Sequence, residues 1–335
     1  MIDLPKRKIP FEIRYIDLFC GIGGFRIGAA NVFNKYGIPS QCAFSCDIDE
    51  FARASYAANF GDLPHGDIAK TEPSSIPDHD LLFAGFPCQP FSIIGNGKGF
   101  KDTRGTLFFE IAKILAVKKP RAFVLENVKR LVGYNGGRAL DRILTILSEL
   151  GYSVDYKVLN ALDFGLPQKR ERVFFVGFNK PENFHWPQGG EQRKPLGSIL
   201  EEKVDNKVLA SATIRAKRRK QHRPKHYPSI WHENKSGHIS SYPYSCALRA
   251  GASHNYLLVN GERRLTPREM LRLQGFPDSF KIVCSDVQTK KQAGNAVPVP
   301  VAQAIMEKVL PTLIRGMNEN AFAGGVNPKR ALARS

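Results

Sequence analysis

Residues 17–30 read DLFCGIGGFRIGAA. An apolar run over 13–19 stops in a turn rich in glycine, and a helix-like pattern follows at once. Such a turn, between a first strand and a first helix, lets backbone N–H groups come close to a ligand. A dinucleotide-binding turn reads G-x-G-x-x-G. Here Gly21, Gly23 and Gly24 are present, but the third position is Arg26. Asp47, at the end of the second apolar run and 24 residues after Gly23, stands where a carboxylate grips ribose hydroxyls. The turn therefore suits a nucleoside-bearing cofactor better than a dinucleotide, with a plain packing turn as the alternative. Asp67, in HGDI, is placed either to accept from an adenine amino group or to cap a turn.

Outward from this turn, short apolar runs at 13–19, 43–46, 81–85, 122–126 and 173–178 read as strands. Helical patterns lie between them at 49–60, closed by Gly61, at 107–119, closed by Pro120, and at 138–150, closed by Gly151. The alternation predicts an α/β fold with a parallel sheet covered by helices on both faces. After about residue 185 proline, glycine and polar residues rise, and long periodic segments vanish until Thr266. Thr266, Pro267 and Glu269 match a capping box with proline at the first helical position. A last helix is expected over 301–315.

The chain has 335 residues, enough for one large domain or two. Its net charge of +18 points to a polyanionic partner, against the plainer reading of a basic solubility surface. No apolar run approaches the ~20 residues of a membrane span, and no signal peptide is seen, so a cytoplasmic, nucleoid-associated protein is expected. The six cysteines are irregularly spaced, which predicts reduced thiols; Cys42 and Cys46 lack a second pair, so no metal site is expected.

AGFPCQPFSIIGNGKGFKDTRG, 84–105, carries the chemistry. Cys88 follows the third strand at its carboxyl end, where open α/β sheets bind ligands, and Pro87 and Pro90 stiffen the chain around it. A thiol so placed is a nucleophile or an inert buried cysteine. Glu126, with Asn127, ends the fourth strand on the same sheet edge, fit for proton donation or for a helix cap.

FCGIGG, GFPCQPFS, ENV, QKRER and GNAVP, in this order and spacing, resemble the DNA cytosine C5-methyltransferases of bacterial restriction–modification systems. The resemblance runs from Ile16 to about Val309 and implies a Rossmann-like S-adenosylmethionine-dependent methyltransferase fold with a smaller, irregular target-recognition domain. It implies a catalytic and cofactor-binding part at 1–185 and 295–335, and target recognition with a hinge at 186–294. The implied cofactor is S-adenosyl-L-methionine, held by Phe19, Gly21, Gly23, Asp47, Ile48, Asp67, Ile68, Pro87, Leu107 and Asn295. The Cys88 thiolate would add to cytosine C6, Glu126 would bind N3, and Arg170 and Arg172 would complete the site, with Arg172 on O2. Cytosine stacked in a duplex hides C6, so the base must swing out at a cost of a few kcal/mol. Ser92 to Arg104 would then close over the DNA, with Lys98, Lys101 and Arg104 meeting phosphates.

Gln168 belongs to the same Q-x-R-x-R block. The basic run 213–227, with Arg218 and Arg219, would track the phosphate backbone, or be a plain surface loop. Base reading is expected in 231–256, with Arg249 the favoured reader and His238 a candidate to fill the space left by the base. Three positions depart from the family: Asp47 replaces its glutamate, Ile48 a bulky aromatic, and Ala247-Leu248 its Thr-Leu pair. The implied partner is double-stranded DNA, met by a monomer, with a cognate restriction endonuclease acting separately. An RNA cytosine methyltransferase, a catalytically silent DNA-binding protein and an NAD-dependent oxidoreductase are the rival readings.

Overall fold

The computed structural model describes residues 11–87, 107–253 and 255–323. Ile13–Leu18 (β1), Ser40–Cys46 (β2), Leu81–Gly85 (β3) and Ala122–Val128 (β4) run parallel in the order β2-β1-β3-β4. Between them come the helices Gly24–Tyr36 (α1), Glu50–Phe60 (α2) and Leu107–Lys118 (α3). Asp49 caps α2 by accepting from Phe51 N and Ala52 N, and Gly61 ends it at φ 85°. After β4 come the short helix Arg130–Gly133 (α4) and the amphipathic Arg138–Glu149 (α5).

The sheet is mixed, which corrects the expectation of parallel strands throughout. Ser153–Asn160 (β5) is an edge strand that the apolar pattern did not reveal, because most of its side chains are exposed or half-buried. Gln168–Lys169 (β6) and Glu171–Phe178 (β7) follow, and β7 inserts between β4 and β5, antiparallel to both. The connection over 161–170 is too short for a parallel crossover, which takes a dozen residues or more. The chain must therefore double back.

Alternate residues of the strands feed two cores. On one face Tyr15, Phe83, Val124 and Val176 pack against α1 and the C-terminal helix Val299–Ala323. On the other, Ile16, Leu82, Phe123 and Phe175 pack against α3 and α5. Each buried Leu, Ile or Phe contributes roughly 1.5–3 kcal/mol, so the two layers position everything else.

Apolar residues between Leu196 and Val299, joined by Ile22, build a third core. Ala212–Gln221 (α6) precedes a small sheet of Ile230–Glu233 (β8), Ile239–Tyr242 (β9) and, after Ser245–Cys246 (β10), Leu257–Val259 (β11), in the order β11-β8-β9. Pro267–Leu273 (α7) begins with the capping box expected of Thr266 and Glu269. Asp286–Asn295 (α8) then leads into Val299–Ala323 (α9). The stretch Asp286–Met317 is long and apolar enough by composition to cross a bilayer. Its Val301, Ile305, Val309 and Leu313 are buried beside the sheet, so its apolarity serves core packing.

Candidate active site

The parallel strands all deliver their carboxyl ends to one edge. There a cleft of about 510 Å³ opens. Beyond β1, Phe19 adopts a left-handed φ of 52°, rare for a bulky residue and characteristic of functional turns. Gly21, at φ 54°, has nothing within 4 Å of where a Cβ would sit, so this part of the turn faces open space. Asp47 accepts from Gly21 N and Asp49 N, both at 2.8 Å, one on each carboxylate oxygen. Burial pushes its carboxyl up, and these two amide donors oppose that. Asp67 caps a 3-10 turn through Ala69 N at 3.0 Å. Phe19, Gly21, Asp47, Asp67 and Asn295 all line the cleft, with Ile48, Ile68, Pro87 and Leu107 as its apolar wall.

Gly23 departs from expectation. It does not line the cleft. It stands at the N-cap of α1 with a φ of 84°, and a Cβ there would come within 2.4 Å of a ring carbon of Phe60. This glycine serves packing, and Gly21 serves the cleft.

Glu126 and Arg172 share the cleft with Asp47, Asp67 and Asn295. In the antiparallel ladder Glu126 faces Phe174 and Val128 faces Arg172, so Glu126 and Arg172 are diagonal neighbours on one face. Arg172 Nε lies 3.0 Å from Glu126 Oε1. Burial raises the Glu126 carboxyl above the usual range, and the guanidinium groups of Arg172 and Arg170 pull the other way. Its neighbour Asn127 donates to Phe86 O at 2.9 Å, tying β4 to the segment that ends at Pro87. Cys88, Ser92, Lys98 and Arg104 lie outside the described residues.

Two members of the Q-x-R-x-R block have other work. Gln168 was expected to contact DNA, but it is completely buried. It donates to Leu273 O and Gln274 Oε1 and accepts from Leu248 N at 2.9 Å. Arg170 lines the cleft beside Glu126 and Arg172, and its terminal nitrogens donate to the carbonyls of Leu248, Gly294 and Ala296, each at 2.9 Å. The basic run is likewise recast. It forms α6, capped by Ser211, and Arg218 points inward, only 1 % exposed. Arg218 donates to Glu233, Trp231 O and Asn255 O, so it cannot track phosphates. Arg219 stays exposed but pairs with Glu262 at 2.6 Å. His238 is exposed in the turn between β8 and β9, where Asn234 accepts from its backbone N–H. Arg249 is exposed too, its guanidinium 4.8 Å from the ring centre of Tyr256.

The family described as C-5 cytosine-specific DNA methylase matches residues 13–310. The chain belongs to this family. Type II methyltransferase M.NgoBI of Neisseria gonorrhoeae is 56% identical over 294 residues, covering 86% of this chain and 90% of that one. M.HaeII of Haemophilus aegyptius, another Type II methyltransferase, is 52% identical over 305 residues, covering 90% and 94%. In fold, the methylase is similar to S. pombe Dnmt2 methyltransferase, with a TM-score of 0.67, 23% identity and coverage of 91% and 99%. It is also similar to the Entamoeba histolytica methyltransferase EhMeth, with a TM-score of 0.66, 17% identity and coverage of 92% and 99%. The methylase is thus an enzyme of the DNA (cytosine-5-)-methyltransferase class with a Rossmann-like methyltransferase fold, and the oxidoreductase reading falls.

The methylase cleft also contains residues that local patterns did not single out. Lys291, Gln292, Gly294, Ala296 and Val297 form one wall, supplied by the end of α8. The GNAVP block marked only Asn295. Nothing local shows that a segment beginning at Lys291 returns to lie beside β1, which ends at Leu18.

Proposed function

We propose that the methylase methylates C5 of a cytosine turned out of a specific short duplex sequence, by way of a covalent bond from Cys88 to C6. The observation that carries this reading is the convergence of Glu126, Arg172 and the cofactor residues on one cleft at the carboxyl edge of the sheet. Residues 1–185 and 295–335 act as the catalytic part and 186–294 as target recognition with a hinge. The clustering of most apolar side chains of the latter region in one core, joined there by Ile22, Ala296 and Val299 of the former, favours this division.

The cleft fits S-adenosyl-L-methionine. It offers the two carboxylates of Asp47 and Asp67 to nucleoside polar groups and an apolar wall including Ile48, Ile68 and Leu107 to the base. The N-terminus of α1, which has no side-chain cap, suits a carboxylate. When bound, the cofactor supplies its methyl group as a carbon electrophile on a positively charged sulfur.

The residues of the chain make cytosine ready to receive it. The Cys88 thiolate adds at C6, forming the S–C6 bond, while Glu126 gives a proton to N3. Burial favours the protonated carboxyl needed for this. Electron density then rests on C5. Arg172, beside Glu126, holds O2. Once C5 carries its methyl, loss of the C5 proton to solvent restores the ring double bond and expels the thiolate, and N3 returns its proton to Glu126. The net charge of +18 supports engagement of duplex phosphates by a monomer. The modification would protect host DNA from a cognate restriction endonuclease.

Bisulfite sequencing of DNA from cells expressing the wild type tests this. A single methylated sequence context is expected, and Cys88→Ser should abolish it. Persistent methylation with Cys88→Ser, or methyl incorporation into tRNA with none in duplex DNA, would overturn the proposal.

A further inference from the structure

The peptide on each side of Leu248 is pinned by the Q-x-R-x-R block. Gln168 Oε1 accepts from Leu248 N and Arg170 donates to Leu248 O, both at 2.9 Å. β10 pairs with β6, Ser245 opposite Gln168 and Cys246 opposite Lys169, which carries the same anchoring three residues upstream. The other arm of the Arg170 guanidinium takes the carbonyls of Gly294 and Ala296, which flank Asn295. One side chain therefore grips the main chain at the cofactor wall and next to Arg249.

A second observation concerns the same place independently. The backbone of Arg249 and Ala250 lies directly on Gly294. A Cβ at Gly294 would overlap Ala250 N and come within 2.8 Å of Arg249 C. Gly294 sits in α8 without a positive φ, so its lack of a side chain serves this approach, and alanine would otherwise suit the helix better. Beyond the pinned peptide, Arg249 N donates to the Tyr256 hydroxyl at 2.9 Å and its guanidinium lies over that ring. The result is an exposed cation on a backbone with little freedom, beside a cleft whose wall is held by the same arginine.

We infer that Arg170 and Gly294, which also line the cleft, are positioning residues for target selection, acting through Arg249. This rests on the reading that Arg249 contacts a base. Cohesion alone does not call for a guanidinium here, because a buried charge is costly and an apolar side chain would hold the segments together. A planar fork bonded to three carbonyls fixes where those carbonyls lie.

The test compares wild type with Arg249→Ala, Arg170→Lys and Gly294→Ala, each expressed in cells lacking cytosine methylation. Bisulfite sequencing reads the ratio of methylation outside the wild-type motif to that within it. Arg249→Ala should relax one base position of the motif. Arg170→Lys and Gly294→Ala should relax that same position, raising the ratio about tenfold, the effect of about 1.4 kcal/mol of lost discrimination. A merely structural role would lower methylation evenly and leave the ratio unmoved, and that result would overturn the inference, as would relaxation at a different position. An unchanged motif with Arg249→Ala would instead overturn the reading beneath it. Should Arg170→Lys fail to fold, Gly294→Ala carries the test, since it lacks no hydrogen bond.

Discussion

Glu126→Gln is the sharpest probe of the reaction site. The carboxyl is 7% exposed and receives a 3.0 Å contact from Arg172 Nε. Glutamine has the same shape and can still accept from that nitrogen through its Oε1. The cost to folding should therefore stay well below the ~3–5 kcal/mol of breaking a buried ion pair. What is lost is a proton that can be given to N3. General acid catalysis is worth about 100- to 10,000-fold, so kcat should fall by that factor. At about 1.4 kcal/mol per tenfold this is roughly 3–5 kcal/mol of barrier. Burial raises the Glu126 carboxyl, so its protonated form persists to higher pH than usual. Wild-type single-turnover rates should thus show a fall as pH rises through that raised value, whereas Glu126→Gln should lack that fall and show only the rise that comes with ionisation of the nucleophilic thiol. The assay is transfer of labelled methyl into duplex DNA from pH 5.5 to 9, alongside calorimetric binding of S-adenosylhomocysteine, which should change by less than about threefold, or ~0.7 kcal/mol. If Glu126→Gln keeps its rate, or keeps the wild-type pH profile, the assignment of Glu126 as proton donor is wrong.

Three further outcomes follow from the structure. Asp17 is buried with one oxygen lacking a protein partner and the other 3.4 Å from the Tyr56 hydroxyl, and burial lifts its carboxyl from 3.8 to about 8. Because the folded value exceeds the unfolded one, stability should be highest below pH 4 for this group and decline up to pH 8, by at most about 1.4 kcal/mol per pH unit, while Asp17→Asn loses that slope in thermal melts. Arg218→Ala should cost about 3 kcal/mol in urea unfolding, because the carbonyls of Trp231 and Asn255 lose their donor and Glu233 keeps only Lys217, while Arg219→Ala should cost under about 1 kcal/mol. Gly23→Ala should destabilise the fold by more than the ~1–2 kcal/mol of left-handed strain, since Phe60 must also move; Gly21→Ala should lose only about that strain in melts but weaken cofactor binding in calorimetry.

Much of the site was legible from local pattern. The turn after β1 was readable because strand period, glycines and helix onset are adjacent in the chain. Glu126 was readable because an acid that ends an apolar strand breaks the pattern. Gln168 and Arg218 were misread, and the structural bonds of Arg170 were missed, for one shared reason: charge and polarity in sequence suggest solvent or substrate. Only the distant carbonyls of Leu248, Gly294, Ala296 and Asn255 reveal that these side chains are satisfied inside the protein. Gly21 and Gly23 look alike in the motif, and only the ring of Phe60 beneath one of them separates their roles.

By itself, then, the amino-acid sequence determined the strand–turn–helix alternation, the helix stop at Gly61, the cap at Thr266, and the family to which the chain belongs. These depend on neighbours within a few residues, where backbone sterics and side-chain period act. Tertiary structure alone decided that β7 runs antiparallel and so sets Arg172 beside Glu126, and that α8 returns to wall the cleft. It alone joined Arg170 to the loop bearing Arg249. Such pairings link residues tens to hundreds of positions apart, and what selects them is the burial of whole faces, a quantity no short window of sequence contains.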